Sequence, residues 1–247
     1  MPLFYNINWF LCWKHSSAIM ESNILSNKLP ITLGTDPKSN ESVHIDFAQC
    51  GNLLIGGATK QGKSHCIHNL IRQIETLTTP PKLILFDPKR CEFSQYKERY
   101  RVIDSSSDAV DFLLSVICEH ILVKDVSTSE PSHSSYVLVI DEIYDLISMQ
   151  KSRSMKNYSD YLCYMAIINI LIQGPEKNIY TIISTQSSDK DILTKKILDN
   201  CQTRLVFRTI NAQDSRRILK KPGAEDLLGR VEAILYQEGN CRKIQCP

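Results

Sequence analysis

Short apolar runs separated by amphipathic stretches set the pattern of this chain. Five of these runs have the length and composition of buried β-strands. They are Asn52–Gly56, Lys82–Asp87, Tyr136–Glu142, Tyr180–Ser184 and Arg204–Phe207. Strands that are apolar throughout are typical of a parallel sheet covered on both faces. The pattern therefore predicts an α/β domain.

The segments between these runs show helical spacing. After the first run, one helix face carries Ile67, Leu70, Ile71 and Ile74. Asp108–Leu122 has a similar pattern, and Tyr161–Ile172 is apolar enough for a buried helix. Ahead of the first run, Ile31–Gly34 and Val43–Phe47 flank turn-forming residues and predict a β-hairpin. We therefore expect a short hairpin and then a mostly parallel sheet with helices on both faces, which binds ligands at the carboxyl ends of its strands.

Composition fits this class and narrows the chemistry. The chain has 247 residues, of which 43% are hydrophobic and 23% charged, as expected for a globular domain. Its net charge is only +2, so any basic surface for nucleic acid must be local. Nine cysteines are scattered without a C-x-x-C pair, which favours free thiols in a reducing cytosol over disulfides or a metal site.

We divide the chain into an N-terminal segment, residues 1–28, and a main folded domain, residues 29–247, which contains all the candidate sites described below. Phe4–Trp13 is apolar but short, and a membrane span needs about 20 apolar residues. No basic region precedes it, so a signal peptide is not predicted. We expect a loosely ordered segment on a cytoplasmic protein, with contact to a membrane surface or a partner as the alternative.

The first candidate site lies between the first buried strand and the first helix. Gly57–Ser64 reads GATKQGKS and matches the phosphate-binding Walker A pattern GxxxxGK[ST]. Backbone N–H groups of such a loop surround the phosphates of ATP at a helix N-terminus. Lys63 is expected to reach the β- and γ-phosphates and Ser64 to hold Mg²⁺. The predicted nucleotide-binding residues are Gly57, Ala58, Thr59, Lys60, Gln61, Gly62, Lys63 and Ser64.

Asp141 and Glu142, which end the third buried run, are the second candidate site. Buried carboxylates without partners are costly, and Mg²⁺ would offset that cost. Asp141 is expected to orient the metal through its water shell, and Glu142 to polarise the attacking water. Solvated acids at a strand end are the alternative, but the neighbouring phosphate loop favours the catalytic interpretation.

Three further polar residues are weaker candidates for catalysis. Gln186, at the end of the fourth run, has the position to sense a γ-phosphate or orient water, and a turn-forming residue is the alternative. Arg204 and Arg216 are candidates for a group that acts on the nucleotide of a neighbouring subunit. From spacing alone, both arginines are better explained as surface residues.

A polar stretch after the third buried run carries candidate DNA contacts, because DNA phosphates require only positive charge within reach. These residues are Lys151, Arg153 and Lys156, with a second pair at Lys195 and Lys196. A solvated surface is the alternative for each of them.

From Leu29 to about Tyr236, the chain resembles the motor domain of the FtsK/SpoIIIE family of DNA translocases. The family's motifs occur in the family's order. They are Asp87-Pro88-Lys89 with Glu92, Val139–Glu142, Ser184–Gln186, Thr203-Arg204, and a tail with DSR, IL and GAEDLLG between Asp214 and Gly229. This tail is more family-specific than the phosphate loop. Lys60 and Gln61 stand where the family usually has Gly and Ser.

The resemblance implies a RecA-like core that assembles as a homo-oligomeric ring, usually a hexamer. ATP hydrolysis at subunit interfaces would move double-stranded DNA through its centre. By the same resemblance, Gln186 is the sensor, Arg204 the leading arginine-finger candidate, and Lys151, Arg153 and Lys156 lie near the pore. The small size suggests a role in transfer or maintenance of a mobile element. The alternatives are a single motor that drives protein secretion and a non-catalytic adaptor, against which the intact Walker residues argue.

Overall fold

The computed structural model describes residues 29–122, 135–148, 158–186 and 192–247. These ranges contain ten strands, all in one sheet. In chain order they are β1 (Pro30–Thr35), β2 (Ser42–Asp46), β3 (Leu53–Gly56), β4 (Lys82–Phe86), β5 (Arg101–Ile103), β6 (Tyr136–Ile140), β7 (Ile179–Thr185), β8 (Thr203–Phe207), β9 (Glu232–Gln237) and β10 (Asn240–Gln245). The N-terminal segment and the basic residues Lys151, Arg153 and Lys156 lie outside the described ranges.

Helices occupy the connections between these strands. They are α1 (Phe47–Cys50), α2 (Lys63–Glu75), α3 (Ser106–Val116), α4 (Ile143–Ser148), α5 (Tyr158–Gln173), α6 (Lys195–Asn200) and α7 (Ala212–Leu219). A π-helical turn, Ile117–Ile121, extends α3. Among the helices of the described ranges, none has the length and apolarity that crossing a membrane would require.

The sheet has a parallel half and an antiparallel half. Its strand order is β2-β1-β10-β9-β8-β3-β7-β6-β4-β5. The strands from β8 to β5 in this order pair in parallel, whereas β9, β10, β1 and β2 pair antiparallel. The predicted mostly parallel α/β sheet and the leading hairpin β1–β2 are confirmed. The short strand β5 and the antiparallel pair β9–β10 were not predicted.

Two buried clusters, one on each face of the sheet, form the core. Alternation along β3 places Leu54 in the cluster that contains α3 and α5, and Leu53 in the cluster that contains α2. The predicted apolar face of α2 is buried as expected, from Ile67 to Ile74. Because the parallel strands run the same way, the carboxyl ends of β3, β4, β6, β7 and β8 lie along one edge of the sheet. The phosphate loop follows the end of β3, and Asp141 and Glu142 follow the end of β6.

Candidate active site

The loop Gly57–Gly62 joins β3 to α2 in a conformation that requires glycine at both ends. Gly57 and Gly62 have φ of +142° and +112°. A Cβ atom on Gly57 would lie 2.8 Å from Phe207 Cβ, and one on Gly62 would lie 2.3 Å from the Arg230 carbonyl oxygen. Gly62 precedes α2 without a side-chain cap. The first N–H groups of α2 are therefore left for an anion, such as phosphate.

Lys60 keeps this loop conformation despite having a side chain. Its φ is +62°, in the left-handed region that favours glycine, and its side chain is exposed. Holding a non-glycine residue there costs about 1 kcal/mol. The loop therefore has a glycine-like backbone at the position where the family that it resembles usually has glycine.

Lys63 lies buried at the centre of the loop. Its ammonium donates hydrogen bonds to the carbonyl oxygens of Gly57 and Ala58, at 2.7 and 2.8 Å. An ammonium has three donors, so one N–H remains for a phosphate oxygen. Burial lowers the pKa of Lys63 to about 8, and the nearby charges of Glu142 and Asp141 oppose that shift. Lys63 is therefore in place to neutralise negative charge on a bound phosphate.

The two acids after β6 are both buried, and they have different surroundings. Glu142 accepts hydrogen bonds from the Gln186 backbone N–H at 2.8 Å, from the Thr185 hydroxyl at 3.1 Å and from the Tyr144 N–H at 3.4 Å. Burial raises the pKa of Glu142, and these hydrogen bonds oppose the rise. The end of β7 thus fixes the orientation of this carboxylate.

Asp141 receives no hydrogen bond from any residue within the described ranges. Burial raises the pKa of its carboxyl to about 7, and the negative charges of Glu92, Asp87 and Glu142 act in the same direction. A buried carboxylate among other acids is a hard oxygen ligand that a bound cation would stabilise. This donor set fits Mg²⁺, and the Ser64 hydroxyl at the start of α2 would supply the second oxygen that the sequence predicts.

Gln186 connects the phosphate loop to the acids. Its side-chain Oε1 accepts a hydrogen bond from the Thr59 hydroxyl at 2.6 Å, while its backbone N–H binds Glu142. A cavity of about 400 Å³ lies beside this contact. Its lining includes Thr59, Glu142 and Gln186, together with Lys89, Asp145 and Ile210. The structure thus brings Gln186 and Glu142 together with the phosphate loop.

No catalytic role was predicted from sequence for the loop that follows β4, although the apolar run that predicts β4 ends on an acid, Asp87. Asp87 is fully buried, and its carboxylate accepts N–H groups from Cys91, Glu92 and Phe93 at 3.2, 3.1 and 2.8 Å. Lys89 forms an ion pair with Asp145 at 2.8 Å. The strand-end rule that found Asp141 would also have placed this loop at the site.

Arg204 does not reach the site, and the structure contradicts its predicted role. The side chain is 1% exposed and lies near the amino end of β8, away from the phosphate loop. Its guanidinium donates to the carbonyl oxygens of Cys201, Ile218 and Leu198 and lies over the Tyr236 ring. A guanidinium held this way inside its own subunit cannot act on a neighbour's nucleotide. Arg216 is exposed on α7 and stays a prediction.

Comparisons with known sequences agree with the geometry of the site. A profile of the FtsK/SpoIIIE family matches residues 20–112. The DNA translocase FtsK of Treponema pallidum is 31% identical over 231 residues, which cover 83% of this chain and 28% of that protein. The DNA translocase FtsK of Chlorobaculum tepidum is 31% identical over 254 residues, which cover 90% of this chain and 30% of that protein. The chain therefore spans less than a third of the length of these two relatives.

Solved structures share the fold. The pCW3 conjugation coupling protein TcpA, in a monomer form with ATPγS, matches with a TM-score of 0.74 and 17% identity over 88% of this chain and 65% of that one. The cytoplasmic domain of the type VII secretion ATPase EccC of Thermomonospora curvata matches with a TM-score of 0.71 and 17% identity, over 92% of this chain and 29% of that one. At this identity, the likeness establishes the fold alone.

Proposed function

Because this chain belongs to the FtsK/SpoIIIE family and is a P-loop ATPase, we propose that it hydrolyses ATP to move double-stranded DNA. The observation that carries the proposal is the cluster of Lys63, Glu142 and Gln186 at one sheet edge, in a chain whose relatives are DNA translocases. Transfer or maintenance of a mobile element, in the cytoplasm, is the setting that we infer.

Each site residue has a task in this proposal. The N–H groups at the start of α2 and the Lys63 ammonium bind the phosphates of ATP. Ser64 and Asp141 would hold Mg²⁺, which when bound supplies positive charge that stabilises the leaving phosphate oxygens. Glu142, held by Thr185 and Gln186, orients the attacking water and accepts its proton. Fixing Glu142 in advance lowers the entropy cost of bringing water into line with the γ-phosphate.

The hydrogen bond between Thr59 and Gln186 links the phosphate loop to the end of β7. Thr59 belongs to the phosphate loop, and the backbone of Gln186 binds Glu142. Movement of the loop around a γ-phosphate would therefore pull on the end of β7. We infer that Gln186 senses the γ-phosphate in this way, as the family resemblance implies.

A homo-oligomeric ring, with a hexamer as its expected form, completes the proposal. Ile210 lines the cavity beside the site and is 79% exposed, and Leu228 is 86% exposed. Large apolar side chains that are this exposed are suited to cover by another protein surface. We infer that a neighbouring subunit covers them and that Lys151, Arg153 and Lys156 contact DNA phosphates in the ring.

The experiment that tests the proposal is ATP hydrolysis by the purified chain with and without linear double-stranded DNA. We expect the turnover rate to rise several-fold with DNA and to fall again at high salt, because DNA contacts depend on phosphate charge. Heparin, a polyanion without a duplex, serves as the control and should not reproduce the increase. A turnover rate that double-stranded DNA leaves unchanged would indicate another cargo, such as a secreted protein.

A further inference from the structure

The loop between β4 and β5 is built around one buried carboxylate. Asp87 accepts three backbone N–H groups, from Cys91, Glu92 and Phe93. These bonds wrap the loop around Asp87 and engage both oxygens of its carboxylate. They also fix the backbone from which the Glu92 side chain extends.

A histidine on α2 holds the Glu92 side chain from the other side. His68 Nε2 lies 3.4 Å from Glu92 Oε2, and His68 Nδ1 lies 3.0 Å from the Tyr96 hydroxyl oxygen. The His68 ring stacks on Tyr96 and meets the edge of Phe93. The Nδ1 contact with Tyr96 is a hydrogen bond, whereas Nε2 approaches the Glu92 carboxylate as an electrostatic contact. Glu92 is therefore oriented by α2 and by its own loop together.

This anchoring places Glu92 beside the phosphate loop. His68 follows Ser64 by four residues on α2, so the two side chains share a helix face about 6 Å apart along the axis. After burial, the negative charge of Glu92 contributes most to the raised pKa of Asp141, and it also acts on Lys63. The Glu92 N–H binds the buried acid that follows β4, and β4 pairs with β6, so Glu92 lies near the end of β6 as well as near α2.

The acids of this region divide by their partners. The Asp87 carboxylate accepts hydrogen bonds from its own loop, and the Glu142 carboxylate accepts them from the end of β7. Asp141 receives no hydrogen bond from a described residue, and Glu92 has its Oε1 free of any hydrogen bond from the described ranges. The Glu92 side chain is 31% exposed, so water reaches it. Bound Mg²⁺ keeps several waters, and these waters need acceptors.

We propose that Glu92 is a positioning residue that accepts hydrogen bonds from the water shell of Mg²⁺ at Asp141, and that His68 holds it there. The inference rests on the proposed ATP hydrolysis and adds a third carboxylate to its metal site. Outer-shell partners of this kind orient the groups bound to a metal and raise its affinity.

The test compares nucleotide affinity in EDTA with affinity in saturating Mg²⁺, using a fluorescent ATP analogue as the probe. Glu92→Gln should reduce the affinity gain on adding Mg²⁺ by about tenfold. In EDTA the same variant should bind the analogue as well as the wild type or better, because a negative charge near the triphosphate is gone. A merely structural role would weaken binding in both conditions.

Glu98→Gln is the matched control, because Glu98 is an exposed acid on the same loop. It should keep the wild-type gain. A gain in Glu92→Gln equal to that of the wild type, or parallel loss in EDTA and Mg²⁺, would overturn the inference while leaving the ATPase proposal intact. A wild type that binds the analogue in neither condition would overturn both.

The role of His68 is tested by His68→Leu and by the double variant. Since His68 acts through Glu92, His68→Leu should lower the Mg²⁺-dependent gain in the same direction, and the double variant should lose no more than Glu92→Gln alone. Additive losses would contradict the assignment of His68. Thermal unfolding of each variant confirms that the compared proteins are folded.

Discussion

Replacing Lys63 with alanine should weaken ATP binding by about 3 kcal/mol, which is roughly 100-fold in Kd. The Lys63 ammonium is buried in the loop and already bonded to the carbonyl oxygens of Gly57 and Ala58. It is therefore oriented before phosphate arrives, and alanine leaves the phosphate charge without its buried partner. The measurement is a titration with a fluorescent ATP analogue in Mg²⁺, and hydrolysis should be lost with binding.

Lys60→Ala is the control for the Lys63 variant. It removes the same charge from the same loop, but the Lys60 side chain is exposed and its backbone amide stays, so affinity should change only a few-fold. The pKa of Lys63, about 8, adds a second readout. Wild-type affinity should fall as pH rises through this value, because the ammonium loses its proton, and Lys63→Ala should lack that dependence. Equal losses in both variants would contradict a special role for Lys63.

Glu142→Gln should leave ATP binding near the wild-type level and reduce hydrolysis by about 10²–10⁴-fold. Glutamine keeps the shape of the side chain: its carbonyl oxygen can still accept from the Gln186 N–H, and its amide NH2 can donate to the Thr185 hydroxyl oxygen instead of accepting from it. It cannot accept a proton from the attacking water. Single-turnover hydrolysis with excess enzyme separates this effect from binding.

Asp145→Asn controls for the loss of a negative charge nearby. Asp145 lies three residues after Glu142 and pairs with Lys89 at the rim of the cavity. Its replacement should slow hydrolysis far less than Glu142→Gln. Hydrolysis by Glu142→Gln within a few-fold of the wild-type rate would remove Glu142 from the chemistry.

The parallel half of the fold was predictable from sequence because its strands are buried on both faces. Continuous apolar runs identify β3, β4, β6, β7 and β8 almost to the residue. The rule that ligands bind at strand carboxyl ends then located the phosphate loop and the acids after β6.

The antiparallel half carries a weaker signal. The sequence of β10 is mostly polar, and only Ile244 of this strand is buried. The strand β5 has only three residues. No apolar run marks either strand. Their positions depend on pairing with β9 and β4, which is a tertiary effect that a local pattern does not contain.

Arg204 and Glu92 illustrate why side-chain roles were harder to predict than strands. Arg204 occupies a position that matches a motif of the family. The carbonyl oxygens that bind its guanidinium, however, belong to three residues at different positions along the chain. Glu92 depends on His68, which precedes it by 24 residues and comes from a different element. Neither set of partners could be read from spacing along the sequence.

The claim that ATP hydrolysis moves this protein along DNA is tested most directly by displacement of a third strand from a DNA triplex. Wild-type protein loaded on linear duplex DNA should release the triplex-forming strand when ATP and Mg²⁺ are present. Glu142→Gln, which binds ATP without hydrolysing it, should release none. Wild-type protein that hydrolyses ATP on DNA but leaves the triplex intact would contradict the proposed translocation.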